Sequence, residues 1–166
     1  MIERVDGYRP DGTRAGVTFV RGEPIPKELL HPVVEVAVRH ADGTFLLMRR
    51  DLDKPGFPGC WEAGASGSVL AGEGFEAAAR RELLEETGLI PENLVEISRN
   101  AYGAPDFLYM VSYRCDYSGD KRAVRLQEGE TIDFRWLSPS DMPALMATAE
   151  FVAPQAVRLR ENGVLG

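Results

Sequence analysis

Residues 67–89 read GSVLAGEGFEAAARRELLEETGL and place Glu82, Glu85 and Glu86 within five residues of one another. From Phe75 to Thr87 nearly every residue is a good helix former, and Gly88 stands where a helix prefers a left-handed C-terminal residue. At about 100° per residue, Glu85, Glu82 and Glu86 fall at roughly −60°, 0° and +40°, an arc of about 100°. Ala77, Ala79, Leu83 and Leu84 are expected on the other side, against a sheet. An acidic arc at a helix C-terminus opposes the macrodipole and places like charges at i,i+3 and i,i+4, each at a cost of a few tenths of a kcal/mol or more. Either solvent and Arg80 with Arg81 neutralise that face, or a hard divalent cation does; carboxylate oxygens with no thiol or imidazole nearby suit Mg²⁺ or Mn²⁺.

Working outward, VVEVAV (33–38) and FLLMRR (45–50) flank Asp42-Gly43, a strong hairpin signal. The segment DKPGFPGCW is too rich in Pro and Gly to be anything but loop. Further strands are expected at Leu94–Ser98, Phe107–Cys115 and Ile132–Leu137, and late helices near 139–148 and 154–161. Residues 1–32 read as an irregular lead-in or hairpin containing a short strand at Val17–Val20. The pattern is α+β, with one structural domain: the lead-in (1–32) packed on a main domain (33–166).

The chain has 166 residues, enough for a substantial core, and a net charge of −7. That charge disfavours nonspecific attraction to nucleic acid or to an anionic membrane surface, so an anionic ligand needs local arginines or a bound cation. No apolar run approaches the roughly 18 residues of a membrane span, and the N-terminus lacks the pattern of a secretory signal. Cys60 and Cys115 have no metal-ligand spacing and read as bystander thiols in a reducing, cytoplasmic setting.

The quoted stretch resembles the Nudix box, G-x5-E-x7-R-E-U-x-E-E-x-G-U with U an aliphatic residue. Gly67, Glu73, Arg81, Glu82, Leu83, Glu85, Glu86, Gly88 and Leu89 fill every fixed position. The resemblance implies the Nudix fold, an α/β/α sandwich around a mixed β-sheet with a loop–helix–loop motif. It implies a metal site for Mg²⁺ or Mn²⁺ made by Glu82, Glu85 and Glu86 with the backbone carbonyl of Gly67, and a Glu73–Arg81 ion pair that holds the motif in shape. The implied reaction is hydrolysis of a diphosphate linkage in a small molecule, a nucleoside diphosphate joined to a second group, by water attack at phosphorus.

In that family the base varies between a box glutamate and an acid on a later loop. The stretch from Gln127 to Trp136 resembles that acidic loop, with Glu130 the first candidate for base or metal ligand and Glu128 the second. Arg49 and Arg50 end a strand where family members often place a substrate-facing arginine. His31 and His40 have no partner pattern and read as surface or capping residues.

A second resemblance, in RRDLDKPGFPGCWE (49–62), is to the isopentenyl diphosphate isomerase branch of the superfamily. The cysteine of that branch falls at Ser66 and its Gly-His at Gly67-Ser68, and no histidine follows His40. A hydroxyl is a poor substitute for a thiol in acid–base work, so hydrolysis is favoured over isomerisation. A non-catalytic module that binds metal and nucleotide is the third reading. The lead-in, lacking a core of its own, could pair across a homodimer.

Overall fold

A computed structural model describes residues 2–164; the ends of the expected spans at residues 1, 165 and 166 lie outside it. The chain begins with an antiparallel hairpin, β1 (Arg4–Tyr8) and β2 (Arg14–Val20), more regular than the expected lead-in. Then follow β3 (His31–His40), β4 (Phe45–Arg50), β5 (Trp61–Ala63), β6 (Ala65–Ser68), α1 (Phe75–Thr87), β7 (Asn93–Tyr102), β8 (Leu108–Tyr117), β9 (Thr131–Leu137), α2 (Met142–Met146) and α3 (Ala153–Glu161). The first late helix is shorter than expected, because Pro143 sits in its first turn and the chain bends at Thr148.

The main sheet runs β5-β4-β3-β8-β7, with β6 added to β3 and β9 to β4. Strands β3 and β8 are parallel in register from His31↔Leu108 to His40↔Tyr117, and the other pairs are antiparallel. Side chains alternate across this sheet as the period of 2 requires. Val34, Val36 and Val38 face α1 together with Val111, Tyr113 and Cys115, while Ala37 faces the cluster formed with Phe151 and Leu159 around α3. Two cores on opposite faces of one mixed sheet make an α/β/α sandwich.

Strands β5 and β6 were not expected, since EAGASGS offers almost no β-branched or large apolar residue. Their pairing is set by a single glycine. Gly64 (φ +67°) donates its N–H to the Leu46 carbonyl, and a Cβ there would lie 1.8 Å from the Val36 carbonyl oxygen. The chain thereby crosses from β4, which β5 pairs, to β3, which β6 pairs. This crossover delivers Ser66, Gly67 and Ser68 to the start of the box.

Helix α1 has the expected limits, with Gly88 (φ +71°) closing it through an N–H···O bond to Leu84. Its phase differs from the expectation. Phe75, Ala78, Ala79, Leu83, Glu86 and Thr87 are buried, whereas Leu84 is 49% exposed and Ala77 is exposed. The acidic arc therefore does not oppose the packed face. Glu82 and Glu86 lie on the same stripe as Phe75 and Ala79, so the stripe is apolar in its first turns and acidic in its last ones.

The N-terminal hairpin docks on α1 and the box loop. Tyr8 stacks on Tyr109 and meets Phe75 edge-on, Ala71 N–H donates to the Arg4 carbonyl, and Gly72 N–H donates to Asp6 Oδ2. Arg14 adds a bond to the Glu73 carbonyl.

Candidate active site

A cleft of about 250 Å³ opens where the box loop, the last turns of α1, the start of β3 and the loops before β5 and β9 meet. Glu82, Glu85 and Glu86 line it from α1, Gly67 from β6, and Glu130 from the loop before β9. Of the two strand-end arginines, Arg50 lines the cleft. Arg49 instead donates to the Gly59 carbonyl and lies over the Trp61 ring, and Glu128 is exposed outside the lining. The reason is strand alternation: successive residues of β4 point to opposite faces, so only one arginine can reach the cleft. Glu128 sits at the tip of its turn, ahead of Gly129 (φ +77°), and only Glu130 turns inward.

Arg81 organises the box. It forks onto Glu73 with Nε and Nη2 both 2.9 Å from the carboxylate, donates to the Ser68 carbonyl, and reaches Glu82 at 2.7 Å and Glu85 at 3.3 Å. Glu73 also accepts the Leu70 N–H, so the loop from 68 to 73 is held to α1 through one guanidinium. Glu73 is held below its ordinary range: its burial, the largest single influence, works against this, and the Arg81 bond, the Leu70 N–H and the Arg81 charge together outweigh it.

Gly67 leaves room for the Glu82 carboxylate. A Cβ there would fall 2.1 Å from Glu82 Cδ, so the carboxylate rests directly on the β6 backbone. Glu86 reaches the same strand, where Oε2 accepts the Ser66 N–H at 3.2 Å.

Glu62 on β5 has no motif signature and was not expected at the site. It is 5% exposed, pairs with Arg50 Nη1 at 2.8 Å, and accepts the Ser66 hydroxyl. Burial raises its pKa against the pull of Arg50. Burial also raises that of Glu86, 7% exposed, well above the ordinary value, with Glu62 and Glu82 adding to the effect. Glu82 is raised by burial too, against Arg81. Only its alternate position on a hydrogen-bonded strand points Glu62 here, which no short pattern records.

His31, expected at the surface, is half-buried and lines the cleft, its Nε2 2.9 Å from Ser68 Oγ. Lys54 closes on Glu130, and Arg21 enters from the hairpin.

The oxygen donors at this site fit a hard cation. Three carboxylates on one helix end and a bare glycine backbone converge where burial penalises unbalanced negative charge. Among the described residues no three acidic, His or Cys side chains are already closed around one point; Glu82 and Glu85 are instead bridged by Arg81 Nη1.

Residues 29–158 match the family model of the NUDIX domain. An uncharacterized Nudix hydrolase, lmo0368, of Listeria monocytogenes serovar 1/2a is 30% identical over 155 residues, covering 91% of this chain and 89% of that protein. The nucleoside triphosphatase NudI of Escherichia fergusonii is 34% identical over 111 residues, 61% of this chain and 77% of that one. In three dimensions DR0079 from Deinococcus radiodurans superposes with a TM-score of 0.78 at 22% identity, covering 96% of this chain and 98% of that one. The chain belongs to the Nudix family, and it is a hydrolase of that family. None of these relatives supports the isomerase-like reading of residues 49–62.

Proposed function

We propose that this chain is a divalent-metal-dependent hydrolase of a diphosphate linkage in a small molecule, a nucleoside diphosphate joined to a second group or a related organic diphosphate. The observation that carries the reading is the surplus of buried carboxylate on the last turns of α1, where Glu82 and Glu86 share the packed stripe and a bare Gly67 backbone faces them. Arg81 and the Ser66 N–H compensate this charge only in part, and the remainder is costly in a fold that has no use for it.

In this reading Glu82, Glu85 and Glu86, with the Gly67 carbonyl, hold Mg²⁺ or Mn²⁺. The bound cation neutralises the diphosphate and lowers the pKa of a water. Arg81 and Glu73 keep the loop and helix in register, so that Gly67 and Glu82 stay in contact. Arg50, fixed by Glu62, supplies positive charge to the substrate side. Glu130, tethered through Lys54 at the cleft edge, takes the proton from the attacking water, for which a carboxylate must stand within about 3 Å. Glu128 and Arg49 have no part in this scheme. A nucleotide is the first substrate class to try, because the relative NudI is named a nucleoside triphosphatase.

The test is a release assay on nucleoside triphosphates, nucleoside diphosphate derivatives and isoprenoid diphosphates, with Mg²⁺, with Mn²⁺ and with chelator, products separated by chromatography. Chelator-sensitive release of phosphate or of a monophosphate supports the proposal. Metal binding with no turnover, or alkene rearrangement alone, overturns it.

A further inference from the structure

The hairpin β1–β2 precedes the segment matched by the family model, yet its open end reaches the cleft. Glu3 and Arg21 flank the two strands there, joined by an Arg21 N–H bond to the Glu3 carbonyl and by a 2.7 Å contact of Arg21 Nη1 with Glu3 Oε2. Both side chains line the same cleft as Glu82 and Glu130. Among the described residues three cations, Arg21, Arg50 and Lys54, therefore face an acidic cavity, and they differ in how firmly they are committed. Arg50 places Nε on the Gly56 carbonyl and Nη1 on the buried Glu62. Lys54 is closed on Glu130. Arg21 has as its side-chain partner Glu3, and both are close to half-exposed, at 47% and 41%. An exposed pair of this kind is weak, whereas a guanidinium forking onto a phosphate makes a stronger, charge-assisted contact.

The hairpin is also rigidly placed. Its bonds to Ala71, Gly72 and Glu73 tie it to the box loop itself, so the backbone from which Arg21 extends is fixed relative to the start of α1. Its charge is felt across the cleft, since it acts on His31, which burial and Arg21 together lower to about 4.

We propose that Arg21 is a substrate-binding residue which exchanges Glu3 for the anionic end of the substrate beyond the metal-bound diphosphate, so that the cleft prefers a polyphosphate chain of three or more phosphates over a diphosphate capped by a neutral group. The preference rests on the hydrolase reading above; the anion contact does not. Glu3 acts as the internal competitor that Arg21 leaves.

The test measures binding of inorganic tripolyphosphate, with Mg²⁺ present, by calorimetry on the full chain and on two variants, with melting temperature as the folding control. Arg21→Gln weakens binding by about tenfold or more, the size of one charge-assisted phosphate contact, while Glu3→Gln strengthens it by about twofold to fivefold by removing the competitor. Opposite signs are the signature, because a pair that only staples the hairpin would shift both variants the same way. In the release assay, Arg21→Gln raises KM for a nucleoside triphosphate by about tenfold with kcat within about threefold, and leaves KM for a nucleoside diphosphate sugar within about twofold. Equal shifts in both binding variants, or no shift in either, overturn the proposal even if chelator-sensitive hydrolysis is present. Opposite shifts in a chain that hydrolyses none of the panel would keep the anion site and remove the hydrolase reading.

Discussion

Single residues in this cleft do work that their neighbours in sequence do not. Glu86→Gln and Glu85→Gln are each expected to lower turnover by about 100-fold or more, the size of losing a metal ligand or base, while Glu128→Gln stays within about twofold because its side chain lies outside the lining. Steady-state rates at saturating substrate and Mg²⁺ check this, and near wild-type rates in both box variants would remove the site assignment. His31 makes a separate prediction about acid stability. Burial, then Arg21, lowers its imidazole from 6.5 to about 4, with Glu3 opposing. The unfolded chain then binds more protons than the folded one between those values, so His31 subtracts stability as pH falls from about 6.5 to about 4, and nothing above that window. In chelator, urea unfolding of His31→Gln should lose less stability across that interval than the wild type, by an amount on the order of 2 kcal/mol. Identical pH slopes would show that the imidazole is not excluded from water.

At the level of elements, the site depends on how strands and helices are fastened. Gly64 is the crossover between two pairings, and a Cβ there collides with backbone rather than with a movable side chain. Gly64→Ala is expected to destabilise the fold by about 3 kcal/mol or more, since both the left-handed φ and the contact with Val36 resist it. Thermal unfolding measures the loss, and an unchanged melting temperature would mean that β5 and β6 can re-pair. On the opposite face, Glu35 of β3 is 4% exposed and is held by the Arg158 guanidinium of α3, with Nη2 at 2.8 Å, and by the Ser112 hydroxyl at 2.7 Å. Removing one partner of a buried pair strands the other charge. Arg158→Ala is therefore expected to cost about 3–5 kcal/mol, and Arg158→Ala with Glu35→Leu to recover much of it. A double variant no better than the single one would show that α3 is held by apolar packing with Leu159 and Phe151 instead.

Over the whole molecule, an acidic chain with a net charge of −7 places arginine and lysine sparingly around its most acidic cavity, so anion binding there is local and does not come from the mean field. Among the described residues no helix is long and apolar enough to cross a membrane. The two thiols report on the integrity of the sandwich. Cys115 is buried on β8 under α1, and burial, with Asp116 and Glu92 beside it, pushes its thiol up to about 12. Cys60 lies half-exposed in the loop before β5. An aromatic disulfide reagent at pH 8 should therefore titrate one thiol per chain in the native state and two in denaturant, because only a thiolate within reach reacts. Rapid reaction of both in the native protein would mean that the β8 face opens readily.

The amino-acid sequence alone specifies the helix from Phe75 to Thr87, the β3–β4 hairpin around Asp42-Gly43, the later strands, and the family, because local propensity, period and a fixed box all lie within short windows. It did not determine which face of α1 the acids occupy. Helical phase shows which residues share a stripe, but burial of that stripe depends on what packs against it, and here Gly67 lets β6 approach closely enough to cover Glu82. Strands β5 and β6 were illegible for a related reason: small residues carry little strand propensity, and they pair only because Gly64 lets the chain pass between β4 and β3. Glu62, His31, Arg21 and the choice of Arg50 over Arg49 were likewise decided in tertiary structure. Each reaches the cleft through contacts between segments distant in sequence, such as Lys54 with Glu130, 76 residues apart, and such contacts leave no periodic mark on the chain.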